Sequence, residues 1–189
     1  MGRRREGLSK GDRRELAILE TARRLFTEGS VSRVTIDELA AGAGISRSAF
    51  YFYFDSKAAV VTALLEEIAD EMAAATADWL AGSGPSEAPL RASLETSARL
   101  WREHGPLLRQ ALIEEDPALL PFRSRILDGF VAKAAARIER DRDAGLAPAG
   151  PPAEALADAL VRMKFAVLAS SPDPVDTLVT IMRRAIYGA

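Results

Sequence analysis

A chain of 189 residues, 48% hydrophobic and 28% charged, has the make-up of a soluble globular protein with room for one domain or two small ones. The absence of cysteine excludes disulfides, thiolate catalysis and Cys-based zinc sites, and the longest apolar run, near Ala58 to Leu65, is far short of the roughly 20 residues that span a bilayer. The net charge of −2 conceals a division: residues 1–57 carry 11 Lys+Arg against 8 Asp+Glu and residues 58–189 carry 14 against 19, so a mildly basic head suited to phosphate precedes an acidic body.

Apolar spacing is helical almost everywhere, and no convincing period-2 strand occurs. Gly and Pro clusters divide the chain into nine predicted helices: 13–28, 35–42, 46–52, 56–80, 88–103, 106–115, 118–144, 153–169 and 174–187. The fold class is therefore all-α, in three parts. These are a flexible basic arm (1–12), a head of three short helices (13–57), and a larger body of long amphipathic helices (58–189).

Arg3, Arg4 and Arg5 could open a signal peptide, but no apolar stretch follows them, so the chain is expected to be cytoplasmic. With Lys10, Arg13 and Arg14 they suit a minor groove or a line of phosphates, and a solvated tail accounts for them equally well. In helix 13–28, Ile18, Ala22, Leu25 and Phe26 share a face. Thr35-Ile36-Asp37-Glu38 fits a capping box opening the second helix, which turns Ile36, Leu39 and Ala40 inward. That helix stops at Gly42, and Gly44 supplies the left-handed backbone of a tight turn. Ile45 anchors the turn and Ser46 caps the third helix. Cap, small residue, glycine turn and apolar lock together describe a helix–turn–helix, whose second helix enters a DNA major groove.

On that helix Ile45, Phe50 and Phe54 form the inward set, and Phe52 stays open between core and surface. Ser46, Arg47, Ser48, Tyr51 and Tyr53 are left to point outward. Arg47 can fork onto guanine O6 and N7 or onto a phosphate, and the hydroxyls can bond phosphate oxygens. Lys57, a cation in the first turn of the next helix, makes sense there if it shares a phosphate with backbone N–H groups. The candidate DNA-contacting set is thus Thr35, Ser46, Arg47, Ser48, Tyr51, Tyr53 and Lys57.

In the body, Glu66, Glu67, Asp70 and Glu71 read as a solvated face rather than a metal site, and His104 as a helix-end polar group rather than a ligand anchor. Bulky apolar residues recur along the body helices. Any one of them is better read as core, but together they can line an apolar pocket. Its candidates are Leu90, Leu94, Trp101, Leu108, Leu112, Phe122, Ile126, Phe130 and Met163. Leu156, Leu160, Met163 and Val167 form one terminal stripe, and Val175, Leu178, Val179, Met182 and Ile186 another; both need cover. One histidine, no cysteine, no phosphate-cradling loop and no nucleophile elbow leave little for catalysis, so neither an enzyme nor a cofactor or metal is expected.

The head pattern, from Thr35 through Gly42-Ala43-Gly44-Ile45-Ser46 to Phe50–Phe54 and Ser56-Lys57, resembles that of the tetracycline-repressor (TetR) family of bacterial regulators. More narrowly, Gly11 to Leu19, Gly42 to Val60, Glu139 to Pro148 and Asp176 to Gly188 are similar to a mycobacterial repressor of that family. The resemblance implies a homodimer through helices 153–169 and 174–187. It also implies a palindromic double-stranded operator, and a small apolar effector held by the middle helices. Ala49 and Asp37 depart from the family pattern, in which the first position is often polar and the second sometimes basic. Around Val161 and Lys164 the similar repressor has amide side chains and this chain has none. The rival reading is a helical carrier of apolar ligands with a degenerate head.

Overall fold

The structure, a computed structural model, describes residues 9–28, 31–114 and 116–188, so the arginines at 3–5 lie outside the described residues. These contain eight α-helices and one short 3-10 turn. In order they are α1 (Lys10–Glu28), the 3-10 turn (Val31–Arg33), α2 (Ile36–Gly42), α3 (Arg47–Phe50) and α4 (Lys57–Ala81), then α5 (Glu87–Leu112), α6 (Leu120–Asp143), α7 (Ala153–Ser170) and α8 (Val175–Tyr187). The chain divides into two compact units, residues 1–65 and 66–189. The division falls beyond the expected residue 57 because the first turns of α4, with Val60, Val61, Leu64 and Leu65 buried, belong with the head.

Helix α1 begins three residues earlier than its apolar spacing suggests. Ser9 and Asp12 cap it reciprocally: the Asp12 N–H donates to Ser9 Oγ (3.1 Å) and the Ser9 N–H to Asp12 Oδ2 (2.9 Å). Lys10, Arg13 and Arg14 are therefore helical residues rather than part of an arm. Ile18, Leu19, Ala22 and Phe26 bury one face of α1, and α2 packs on it so closely that Gly42 has no room for a Cβ against the Thr21 side chain.

In the body, the predicted helices 88–103 and 106–115 are the two stretches of α5, which meet at a kink. Pro106 has no N–H to bond the carbonyl four residues back, and its ring crowds that carbonyl. The chain absorbs both by leaving helical geometry at His104 (φ −125°, ψ 21°) and then resuming it. Helix α6 starts at residue 120 rather than 118, because Asp116 Oδ1 accepts the Ala118 N–H in a local turn first. Helix α7 packs mainly on α6, and α8 on α5.

A buried clasp closes the body. The Arg137 guanidinium donates to Asp141 Oδ2 (2.9 Å), the Gly84 carbonyl (2.8 Å) and the Tyr187 hydroxyl (3.1 Å), while Tyr187 and the Gly84 N–H donate to Asp141 Oδ2 (2.7 and 3.2 Å). Burial alone would raise the Asp141 carboxyl, but Tyr187, Arg137 and Gly84 together hold it below the usual carboxylate range. Burial, with the Asp141 contact, pushes the Tyr187 hydroxyl up to about 12.

Candidate functional site

The head's turn is built from local chemistry. Thr35 and Glu38 form the expected capping box: Thr35 Oγ1 accepts the Glu38 N–H (3.2 Å) and Glu38 Oε2 accepts the Thr35 N–H (2.8 Å). Helix α2 ends with Gly44 at φ +66°, its N–H on Ala41 O and the Ile45 N–H on Ala40 O, the paired closure that satisfies two end carbonyls. Arg14, reaching over from α1, adds donors to the Ala43 and Gly44 carbonyls (3.4 Å each). Ser46 caps α3 through the Ala49 N–H (3.1 Å). The α-helical part of α3 is only Arg47–Phe50, shorter than the predicted 46–52. Phe52 and Tyr53 then bond back three residues, to Ala49 and Phe50, which tightens the end into 3-10 form.

Phe50 and Phe54 are buried and their rings meet 6.1 Å apart, as the inward reading requires. Phe52 is 87% exposed, which settles the question that spacing left open. It joins Tyr51 on the outer surface; spacing could not have found it, because five consecutive aromatics mask the helical period.

The polar candidates hold one another in the free head. Ser46 and Ser48 share a hydrogen bond (2.9 Å), and Arg47 is paired with Asp37 (2.6 Å), both more than half exposed. Tyr51 and Asp37 raise the Arg47 guanidinium above its usual value. Lys57 is anchored within the head. Its ammonium donates to the carbonyls of Val31 (3.0 Å), Ser32 (3.0 Å) and Val34 (2.9 Å), so its three donors tie down the 3-10 turn.

Within the body, α4, α5, α6, α7 and α8 enclose a cavity of about 40 Å³. That is room for a few waters. Of the predicted lining, Leu90, Leu94 and Phe130 are there. Trp101, Leu108, Leu112 and Phe122 are buried outside its lining, while Ile126 and Met163 are half-buried. Ile126 instead lines a shallow groove of about 200 Å³ between α4 and α6, and Phe130 borders both spaces. Thr76, Trp79, Leu80, Ser93, Ala134, Val161, Lys164 and Met182 complete the lining and were not in the candidate pocket set.

Lys164 is 7% exposed, and its Nζ lies 4.7 Å from the centre of the Phe130 ring and 4.4 Å from that of Phe165. Burial lowers its pKa to about 8. Thr76 donates to the Met72 carbonyl (2.8 Å) and shares a hydrogen bond with Ser93 (2.9 Å). No group of metal-ligating side chains occurs among the described residues, and no helix of the described residues is long and apolar enough to cross a membrane.

A capped, glycine-turned helix pair with a polar and aromatic outer face defines a helix–turn–helix DNA-binding head, joined here to a helical body with an internal cavity. Comparison with known proteins agrees: residues 18–64 match the model for bacterial regulatory proteins of the tetR family, and residues 90–188 that for the C-terminal domain of the transcriptional regulator EthR. The chain is 36% identical to the HTH-type transcriptional regulator EthR of Mycobacterium tuberculosis over 199 aligned positions, covering 98% of this chain and 92% of that one. Among solved structures, Salmonella enterica GusR superposes with a TM-score of 0.78 at 21% identity, covering 96% of this chain and 97% of that one. AibR, in complex with isovaleryl coenzyme A and operator DNA, superposes at 0.63 with 16% identity, covering 92% and 98%. The chain belongs to the TetR family of transcriptional regulators and is EthR-like; its relatives are regulators rather than enzymes.

Proposed function

We propose that this protein is a dimeric repressor that sits on a palindromic operator and is released when a small, largely apolar ligand enters the body. Two heads would occupy successive major grooves about 34–36 Å apart. The observation that carries the reading is one helix: α4 begins in the head at Lys57 and, about five turns on, contributes Thr76, Trp79 and Leu80 to the cavity. With the cavity at about 40 Å³, a ligand has to move that lining, and α4 is the lever. It shifts the equilibrium only by its differential affinity for the two conformers.

On DNA, Arg47 exchanges Asp37 for a base edge or phosphate, Ser48, Tyr51 and Tyr53 take phosphate oxygens, and Phe52 offers a ring to a thymine methyl. The dimer forms through α7 and α8, although not through the α8 stripe that the sequence singles out. Leu178, Val179, Met182 and Ile186 are buried in the chain's own core. Apolar side chains that remain outward include Ala159, Ala166, half-buried Met163, Val167 and Val175, and Ile181 at 39% exposure.

Fluorescence anisotropy with DNA from the protein's own promoter tests the reading. Arg47→Ala and Tyr51→Ala each weaken binding at least tenfold, and Ile181→Glu shifts the protein to monomer in sedimentation. If neither head variant changes affinity, the contact assignment is wrong. If no genomic DNA is bound at all, a ligand carrier with a degenerate head replaces the repressor.

A further inference from the structure

Lys164 is the feature of the body that a plain apolar effector leaves unused. Lys164 as a residue is more than nine-tenths buried in the cavity wall, its ammonium set against two ring faces and with no hydrogen-bond or ion-pair partner among the described residues. Ring faces attract a cation but accept none of its three N–H donors conventionally, so the group is held with its hydrogen-bonding capacity unspent. The described lining contains no carboxylate. Its other polar groups are the hydroxyls of Thr76 and Ser93, both over nine-tenths buried. Thr76 gives its proton to the Met72 carbonyl, so in their shared bond Ser93 is the donor, and that proton is free to swing to a ligand.

We propose that Lys164 selects an anionic effector: a molecule with an apolar body and one terminal carboxylate, which docks on the Lys164 ammonium while the body spreads among Trp79, Leu90, Leu94 and Met182. The proposal rests on the reading of the body as an effector site and names the ligand class for it. A carboxylate supplies the acceptors that the rings lack, in a low-dielectric setting where a charge-assisted bond is strong. A neutral ligand of the same shape would leave the ammonium buried and unpaired. A thioester-bound acyl chain would put a neutral carbonyl at the same point.

Titration makes the prediction sharper. With a pKa near 8, Lys164 is mostly charged at pH 7 and about nine-tenths neutral at pH 9, whereas a carboxylic acid is ionised at both. Nothing else in the described lining contributed by α4, α5, α6, α7 and α8 titrates in that window. Arg162, two residues away, is on the exposed side of α7, paired with Asp158 (2.8 Å).

The test is calorimetric titration of the full-length protein with octanoate, 4-phenylbutyrate, methyl octanoate and octanoyl-CoA, at pH 7 and pH 9. At least one carboxylate should bind tenfold or more tighter than the ester and the thioester. Its affinity should fall about tenfold from pH 7 to 9. Lys164→Met should abolish both the preference and the pH dependence, while Lys164→Arg keeps the preference and loses the pH dependence. Equal binding of ester and carboxylate, an unchanged preference in Lys164→Met, or no binding by either carboxylate overturns the proposal. The wild-type pH profile decides the matter even if a variant fails to fold. Promoter binding, measured separately, keeps the two readings apart: loss of DNA binding alone removes the repressor, and loss of carboxylate preference alone removes the anion site.

Discussion

Burying Lys164 should make the protein more stable at alkaline pH, and the size of the effect follows from its titration. An ordinary lysine titrates near 10.5 and this one at about 8, so between those values the unfolded chain binds the proton that the folded chain has released. Stability therefore rises with pH through the window, opposite to the trend for a lysine that gains a salt bridge on folding. Each pH unit that separates the two titrations is worth about 1.36 kcal/mol, so the full penalty below pH 8 is about 3 kcal/mol. About 2 kcal/mol of it is relieved between pH 7 and pH 9.5. Lys164→Met removes the titration and keeps the apolar stem. It also deletes two ring contacts and alters packing, but those changes are independent of pH and cancel in the comparison. Urea unfolding of both proteins, at one protomer concentration, should give natural-protein stability minus variant stability about 2 kcal/mol higher at pH 9.5 than at pH 7. A difference that stays flat within about 0.5 kcal/mol, or falls with pH, would refute the claim that this ammonium is buried without an anionic partner.

Three more outcomes follow from the head and the clasp. Asp37→Ala frees the Arg47 guanidinium and removes a carboxylate from the DNA-facing surface, so operator affinity should rise a few-fold with a steeper salt dependence, read by anisotropy at several salt concentrations. Gly42→Ala forces a Cβ into Thr21, whose hydroxyl is anchored to the Ala17 carbonyl (2.8 Å); it should cost about 1–3 kcal/mol in urea unfolding, and Thr21→Ser should recover part of that by removing the obstructing methyl. Arg137→Met leaves the Asp141 carboxylate buried with one cation fewer, at a cost of about 3–5 kcal/mol. Because Asp141 titrates below its ordinary value in the folded state, the stability it contributes is present at neutral pH and lost in acid. Stability of the natural protein should therefore fall more steeply than that of Arg137→Met when unfolding is followed downward from pH 6.

The head was readable because its determinants are local. Thr35 meets Glu38 three residues on, Gly44 must take a left-handed φ, and Ser46 meets the Ala49 N–H; each rule spans a few residues and each holds. What escaped was tertiary. Lys57 reads as a lone cation at a helix start until the chain folds and brings three carbonyls from residues 31–34 to it. Arg14 reads as part of a basic arm until α1 lays it against the turn. Lys164 did carry a signal: it shares a helical face with Leu160, Val161 and Leu168, all buried, so only a charged residue interrupts that stripe. The pocket lining could not be sorted from core by composition, because Trp101 and Leu108 are as apolar and as buried as Leu90 and Leu94. The break expected between residues 103 and 106 is present as a kink at His104, where the chain leaves helical geometry just before Pro106.

The clasp at Arg137 has a topological effect on the body. Tyr187, the last residue of the last helix, shares hydrogen bonds with the Asp141 and Arg137 that also hold Gly84, in the loop before α5. The stretch from α5 through α8 is thereby closed into a non-covalent ring, which the Arg183–Glu87 and Arg91–Asp176 ion pairs between α8 and α5 fasten further. A helix end normally frays first, yet loosening this one would expose a buried ion pair. Loosening one end of the body therefore disturbs the other.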